Sequence, residues 1–215
     1  IAGMVLEFSV PTAVSGLMWI TVYDGNSPLS LSLVVIDTIL APFVIPVALQ
    51  LLLGSKITMD VGEMMSDLIF MVAIPAIAAM CLNQISKGKV KEIWPSKLAP
   101  FSKLALMYVV TCNSSKIAPY VKSMNAERIL VALVILVLAA GGYIVGWFVA
   151  RIMKQDQETT VSLIYGIGMR NISTGAVIAA AYFPGEVVFP VMIGTLFQQV
   201  LAATFGKVLI DRRKS

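Results

Sequence analysis

The fold of this chain is decided at Gly166-Ile167-Gly168-Met169-Arg170-Asn171, a polar, glycine-rich stretch in the middle of an apolar segment. Arg170 lies about ten residues into that segment. An arginine near the centre of a bilayer costs at least ~2.5–3.5 kcal/mol on insertion scales, so it should face a cavity or a partner. A broken helix is tolerated at that depth only where its free backbone groups meet protein or a polar cavity. The stretch therefore predicts a break in a membrane-spanning helix and a binding site at the break.

The composition supports a membrane location for the rest of the chain. Hydrophobic residues make up 58% and charged residues 13%, against roughly a quarter charged in soluble domains, and the mean hydropathy is +0.88. A span needs about 20 apolar residues. We identify seven apolar stretches of that length, at 2–22, 29–53, 64–85, 98–118, 129–152, 160–182 and 188–210. The predicted fold class is an all-α integral membrane protein.

The residue types that are missing exclude several function classes. The chain has no histidine, and Cys81 and Cys112 form no CxxC pair, which argues against histidine-ligated metal, a Ser-His-Asp triad and a Cys-His nucleophile. We therefore expect no enzyme and no cofactor. The net charge of +4 resides in short Lys and Arg clusters between apolar stretches, so the expected partner is lipid and not nucleic acid.

The same basic clusters predict the orientation. Placing the connection 86–92 inside collects nine basic residues on one side and leaves three or four on the other. Because basic residues concentrate on the cytoplasmic side, we expect a multi-pass protein of the plasma membrane with a cytoplasmic C-terminus. The chain opens without a Met or a charged region ahead of its first apolar run, so its first residues are expected to lie within a span.

The two ends of the chain resemble each other. Each has a helix with a break, near 11–16 or 166–171, then a short turn, then an uninterrupted span. The distance from Pro11 to Asn26 is 15 residues and that from Gly168 to Pro184 is 16. The units begin five spans apart, which inverts one relative to the other. This pattern predicts an inverted-repeat secondary transporter with two discontinuous crossing helices; the alternative is two ordinary kinks.

Polar residues near the two breaks are the site candidates. A guanidinium suits an anionic substrate or a carboxylate within the protein, and a purely structural ion pair is the alternative for Arg170. The predicted substrate-binding residues are Arg170, Asn171, Ser173, Thr174, Pro11, Thr12 and Ser15.

Two carboxylates lie within spans. Glu7 is one turn before the first break and Asp37 is midway along the second span. Each is a candidate partner for Arg170 or a protonatable group, or equally a neutral acid satisfied by hydroxyls. Gln198 in the last span is a further cavity-lining candidate, for which a hydrogen bond to a neighbouring helix is the alternative.

Several motifs carry a resemblance to a known family. The stretch 165–176 and the following Tyr182-Phe183-Pro184 resemble the crossing-helix motif of the bile acid:sodium symporter family. Val10-Pro11-Thr12, the Asp37-Thr38-x-x-Ala41-Pro42 pattern and Phe197-Gln198-Gln199 are similar to other parts of it. The resemblance implies a ten-helix inverted-repeat fold, of which these would be the last seven helices. It also implies sodium-driven transport of organic anions by alternating access.

The resemblance further implies a division into domains. Residues 1–55 would form the first part of a core domain, 56–122 would supply spans of a panel-like domain, and 123–215 would complete the core. Substrate would bind between the domains, next to the crossing. The oligomeric state stays open.

The chain departs from the family at the sodium-site positions. Gly166 and Arg170 stand where the family's sodium-dependent members carry a carboxylate and an amide, and Val34 replaces a hydroxyl, although Ser30 matches one. We therefore predict that the Arg170 guanidinium occupies the space of a sodium ion, and that transport is proton-coupled or uncoupled. The ion-coupling candidates are Glu7, Ser30, Asp37, Gly166, Ile167, Met169 and Gln198; no metal site is predicted.

The sequence thus favours a secondary carrier for a small organic anion. A passive channel or facilitator built on the same breaks is the first alternative, and a membrane-bound ligand sensor is the second.

Overall fold

A computed structural model describes residues 1–54 and 60–210, and this part of the chain is almost wholly helical. The α-helices are α1 (Ala2–Ser9), α2 (Gly16–Val22), α3 (Ser27–Leu53), α4 (Val61–Leu68), α5 (Ile74–Ile85), α6 (Lys89–Lys122), α7 (Ala126–Ile152), α8 (Gln157–Gly168), α9 (Ile172–Tyr182) and α10 (Val188–Phe205). Two π-helical turns, Ile69–Ala73 and Gly206–Ile210, and a 3-10 turn, Gly185–Val187, complete them. Within the described ranges no strand forms, and the all-helical prediction is confirmed.

Four helical segments are long and apolar enough to cross a membrane, namely Ser27–Leu53, Val61–Ile85, Ala126–Ile152 and Gly185–Ile210. Their apolar side chains are widely exposed: on α3, for example, Ile36 is 55% and Leu51 79% exposed. Large apolar faces of this kind are suited to lipid. The predicted span 98–118 lies within α6, which is not among the four segments and carries several lysines.

Polar residues in the connections start the helices. The side chain of Asn26 accepts from the Leu29 amide at 2.9 Å, that of Asn125 from Arg128 at 2.9 Å and that of Asp156 from Thr159 at 2.7 Å. Each satisfies a first-turn amide that has no partner within its own helix. The turns predicted from these residue types are therefore where the helices begin. Residues 55–59 and the basic tail 211–215 lie outside the described part.

Both predicted breaks are present, but the second is shorter than predicted. The first helix is interrupted over residues 10–15, between α1 and α2. The second is interrupted over residues 169–171, so the prediction that Gly166 and Gly168 are part of the break was wrong. Gly168 instead ends α8 against the Tyr143 ring, where a Cβ would overlap the ring carbons. It provides close packing, not a change of direction.

Helices α7 and α8 approach each other along a glycine seam, formed by Gly142 and Gly146 of α7. A Cβ at Gly142 would lie 3.3 Å from the Ile167 carbonyl oxygen, and one at Gly146 would lie 2.8 Å from the Ile164 Cα. Small residues allow this kind of backbone approach in membranes. The seam fixes α8, and with it the second break, onto the long helix α7.

Candidate functional site

The two breaks meet and pair as a single antiparallel bridge between Thr12 and Arg170. The amide of Asn171 donates to the Pro11 carbonyl at 2.8 Å, and the amide of Ala13 donates to the Met169 carbonyl at 3.0 Å. These two bonds flank Thr12 and Arg170, which makes them a non-hydrogen-bonded pair whose side chains lie close together. Backbone groups that lost their helical partners at one break are thus satisfied by the other, as the membrane interior requires.

At the first break, Thr12 is held by a carboxylate from α3. Its amide donates to Asp37 Oδ2 at 2.6 Å. Its hydroxyl lies 2.8 Å from the same oxygen and 2.9 Å from the Gly166 carbonyl. Thr12 therefore links α3 to the last turn of α8.

At the second break, Arg170 is held by an amide from α10. Its backbone N–H donates to Gln198 Oε1 at 3.0 Å. Its half-buried guanidinium interacts electrostatically with Asp37. Of the two carboxylates that the sequence offered as partners of Arg170, Asp37 is the one placed near it.

The residues next to the bridge explain why the chain breaks here. Pro11 has no N–H to donate within a helix. Met169 is fully buried, and its sulfur packs against Gly16 at the start of α2. Asn171 then begins α9 by accepting from the Thr174 amide at 3.4 Å, so the helix restarts directly after the crossing.

A cavity of about 270 Å³ opens beside the first turns of α9. Its wall is largely apolar and consists of residues from α4, from the π-helical turn Ile69–Ala73 and from α9. The residues around it are Asp67, Leu68, Met71, Val72, Ser173, Thr174, Val177, Ile178, Ala181 and Tyr182. At the end away from the crossing, the Tyr182 hydroxyl donates to the Asp67 carboxylate. The cavity thus lies between α4 and α9, one turn beyond Arg170.

Four polar residues line the cavity, and the sequence predicted two of them. Ser173 and Thr174 were predicted, while Asp67 and Tyr182 were not. The available signal was a carboxylate inside the apolar stretch 64–85.

Three predicted residues lie away from the crossing. Ser15 is exposed at the start of α2. Ser30 is buried and donates to the Asn26 carbonyl at 2.8 Å within the first turn of α3. Glu7 is buried on α1 against Gly194 of α10. The Ile167 carbonyl faces Gly142 of α7. The candidates that meet at the crossing are Pro11, Thr12, Asp37, Gly166, Met169, Arg170, Asn171 and Gln198.

Comparison with known proteins decides the family. The model of the SBF-like CPA transporter family matches residues 1–210. The chain belongs to this family. The resemblance to the bile acid:sodium symporter family is thereby confirmed, and membership supports an integral membrane transporter.

Individual relatives extend this finding. The chain is 46% identical over 209 residues to the uncharacterized protein YbaS of Bacillus subtilis, covering 97% of this chain and 68% of that one. It is 20% identical over 216 residues to the uncharacterized sodium-dependent transporter YocS of the same organism, covering 99% and 66%. Identity to the probable sodium/metabolite cotransporter BASS3, chloroplastic, of rice is 26% over 215 residues, covering 97% and 50%. The chain thus spans half to two thirds of the length of these relatives.

The oxygens around the crossing of this SBF-like chain already take part in hydrogen bonds. Asp37 Oδ2 and Gln198 Oε1 each accept hydrogen bonds from the backbone of the breaks, and the Gly166 carbonyl is in hydrogen-bond contact with the Thr12 hydroxyl. Across the described residues, no group of three or more His, Cys, Asp and Glu side chains could hold a metal ion.

Proposed function

We propose that this chain is the greater part of a secondary carrier that moves small organic anions across the plasma membrane by alternating access. The observation that carries the proposal is the position of Arg170 at the crossing of two broken helices, one turn from a largely apolar cavity. A permanent positive charge at membrane depth is costly and is typical of a substrate or ion pathway. We infer that this unfavourable charge is retained because it binds a substrate.

The cavity is suited to a molecule with an anionic group and an apolar body. Its inner end is the N-terminus of α9, through Ser173 and Thr174. The positive end of the helix dipole at the N-terminus of α9 attracts anions, and Arg170 directly precedes that helix. Farther out, the wall consists mainly of aliphatic side chains such as Leu68, Val72 and Val177. We infer that the anionic group of the substrate binds at Arg170 and the start of α9, with its apolar part in the cavity.

Transport by this carrier is not driven by sodium. The Arg170 guanidinium takes the place of the cation, because the nearby oxygens already accept hydrogen bonds and because its charge repels Na⁺. Coupling to protons, or transport without ion coupling, follows. A steep rise of uptake with an inward sodium gradient in liposomes would contradict this part of the proposal.

The broken helix α1–α2 and the following helix α3 form one inverted repeat of a core domain. The broken helix α8–α9 and the following helix α10 form the other. Helices α4 to α6 belong to a panel-like domain. Substrate enters between the two domains and is released when they move relative to each other. The C-terminus is cytoplasmic. Single cysteines placed near residues 88 and 155 test the orientation. A thiol reagent should label them when it is added on the cytoplasmic side, but not when it is added outside.

The central experiment measures counterflow of a panel of organic anions by the full-length protein in liposomes. A carrier shows trans-stimulation, whereas a channel does not. The variant Arg170→Gln should bind the transported anion roughly ten- to a hundredfold more weakly, because a hydrogen bond to a charged group contributes about 1.5–3 kcal/mol. Arg151→Gln, at an exposed position at the end of α7, is the matched control and should behave as wild type. Equal affinities in Arg170→Gln and wild type would overturn the assignment.

A further inference from the structure

Glu7 is a buried carboxylic acid that the crossing does not use. It is 2% exposed, and its Oε2 has no hydrogen-bond partner within the described residues. Its other carboxylate oxygen lies directly over Gly194 of α10, in the space that a Cβ at position 194 would fill. The glycine therefore makes room for the carboxyl group, which is flanked on the same side by the Ile172 side chain.

Among the residues that the structure describes, the helices packed against α1 offer no positive charge to balance an ionised Glu7 carboxylate. Helix α1 packs against α10, α3 and α9. Between Val188 and Phe205, α10 has no titratable side chain; α9 has Tyr182, at its far end; and α3 has Asp37, which is engaged with Thr12. Near the start of α1, the charged residues Glu127, Arg128 and Glu186 line a separate cavity with Ile1, Ala2 and Gly3. A carboxylate without a partner in such a place is strongly disfavoured, so the group is stable here as the neutral acid.

The position of Glu7 connects it to the transport site. It precedes Pro11 by four residues, one turn of helix, and Gly194 precedes Gln198 by the same interval. Gln198 holds the backbone of Arg170. A core-domain movement that shifts α1 against α10 therefore alters the crossing and the surroundings of the Glu7 carboxyl group at the same time.

We propose that Glu7 is the proton-binding site of the carrier. In the conformation described here it holds a proton; when the movement of the core domain against the panel-like domain lets water reach Glu7, the O–H bond breaks, the electron pair stays on the carboxylate oxygen and the proton passes to water. The carboxylate takes up a proton from water on the opposite side of the membrane before the carboxyl group is buried again. One monovalent anion then crosses with one proton and no net charge. This inference rests on the proposed carrier function.

The test compares two transport assays on the full-length protein in liposomes. Counterflow at equal pH on both sides requires no net proton movement. Uptake under an inward gradient of one pH unit can be driven to about tenfold accumulation if one proton accompanies each anion. We expect Glu7→Gln to continue counterflow but to lose the accumulation. Glu186→Gln, an exposed carboxylate in the turn before α10, is the control and should keep both.

The outcomes separate the two proposals. If Glu7→Gln accumulates anion as wild type does, the proton site is overturned. If wild type shows counterflow with none of the anions, the proposed function fails, and infrared spectroscopy decides on Glu7 by itself: a protonated-carboxyl band at neutral pH that is absent from Glu7→Gln supports the site. Should that variant fail to fold, wild-type protein with ¹³C-labelled glutamate gives the answer. An isotope-shifted protonated-carboxyl band supports the proposal, and its absence overturns it.

Discussion

The two breaks solve the same problem with different side chains. In each, the central residue has an amide that points away from the bridge, and in each a polar side chain from the next long helix accepts from it. At Thr12 the acceptor is the Asp37 carboxylate, and at Arg170 it is the Gln198 amide. The first break therefore acquires a negative charge from its supporting helix, while the second carries a positive charge on its own side chain. The comparison teaches that the crossing is neutral only as a pair.

The breaks also differ in length. The first covers residues 10–15 and leads into α2, whose first turn has no side-chain cap, whereas the second covers residues 169–171 and leads into α9, capped by Asn171. The Asn171 cap allows the second broken helix to resume directly after the break. The predictions below alter one break at a time.

The largest effect is expected from Asp37→Asn, which gives the first break the uncharged acceptor of the second. Arg170 then has no opposite charge nearby, at a cost of about 3 kcal/mol for an arginine at membrane depth. We expect a markedly lower melting temperature of the full-length protein in detergent. The double variant Asp37→Asn/Arg170→Gln should recover much of the loss. If the double variant is no more stable than Asp37→Asn, the two charges do not depend on each other.

Gln198→Ala removes the acceptor at the second break. The Arg170 amide is then left without its partner, which costs about 1–3 kcal/mol. Gln199→Ala, at an exposed neighbour that accepts from the Trp19 indole, is the control and should cost less. Thermal unfolding of both variants checks the difference, and equal melting temperatures would mean that Gln198 does not support the break.

The glycines beside the breaks should respond differently to alanine. A Cβ at Gly168 would overlap the Tyr143 ring, whereas one at Gly16 would be in ordinary contact with Met169 at 3.6 Å. Overpacking of this kind costs about 1–3 kcal/mol. We expect Gly168→Ala to be less stable than wild type and Gly16→Ala to be close to it. The opposite order of melting temperatures would disprove the packing described for the end of α8.

The smallest effect is expected from Thr12→Val, which keeps the shape of the side chain but removes its hydroxyl. The hydrogen bond that the Thr12 hydroxyl donates to Asp37 or to the Gly166 carbonyl is lost, at a cost of about 1 kcal/mol. Thr12→Ser retains the hydroxyl and is the control. A drop of equal size in both variants would show that the methyl group matters, and not the hydroxyl.

Much of the fold could be predicted because membrane helices leave a strong record in sequence. The apolar stretches and their polar connections correspond to the helices and turns, and Pro11 marked the first break correctly. Gly166 and Gly168 were wrongly predicted to be part of the second break. A glycine in an apolar stretch is equally suited to breaking a helix and to packing it closely against a ring. Local sequence does not distinguish these uses.

The site was predicted less fully, because its partners are far apart in the chain. Thr12 and Asp37 are 25 residues apart, and Arg170 and Gln198 are 28. The residue types could identify Glu7 and Asp37 as candidates, but the choice between them depends on how α1, α3 and α10 pack. The Asp67–Tyr182 contact, 115 residues apart, left no pattern that pointed to a pair.

The glycine seam between α7 and α8 has a mechanical consequence. Where two backbones are in contact without side chains between them, a change of side-chain rotamer cannot accommodate sliding or rotation of one helix on the other. The two helices should therefore move as one rigid unit. Spin labels placed on the outer surfaces of α7 and α8 should therefore keep a constant separation while labels across the cavity change theirs. The distance between the labels on α7 and α8 therefore serves as a fixed reference for displacements measured elsewhere in the protein.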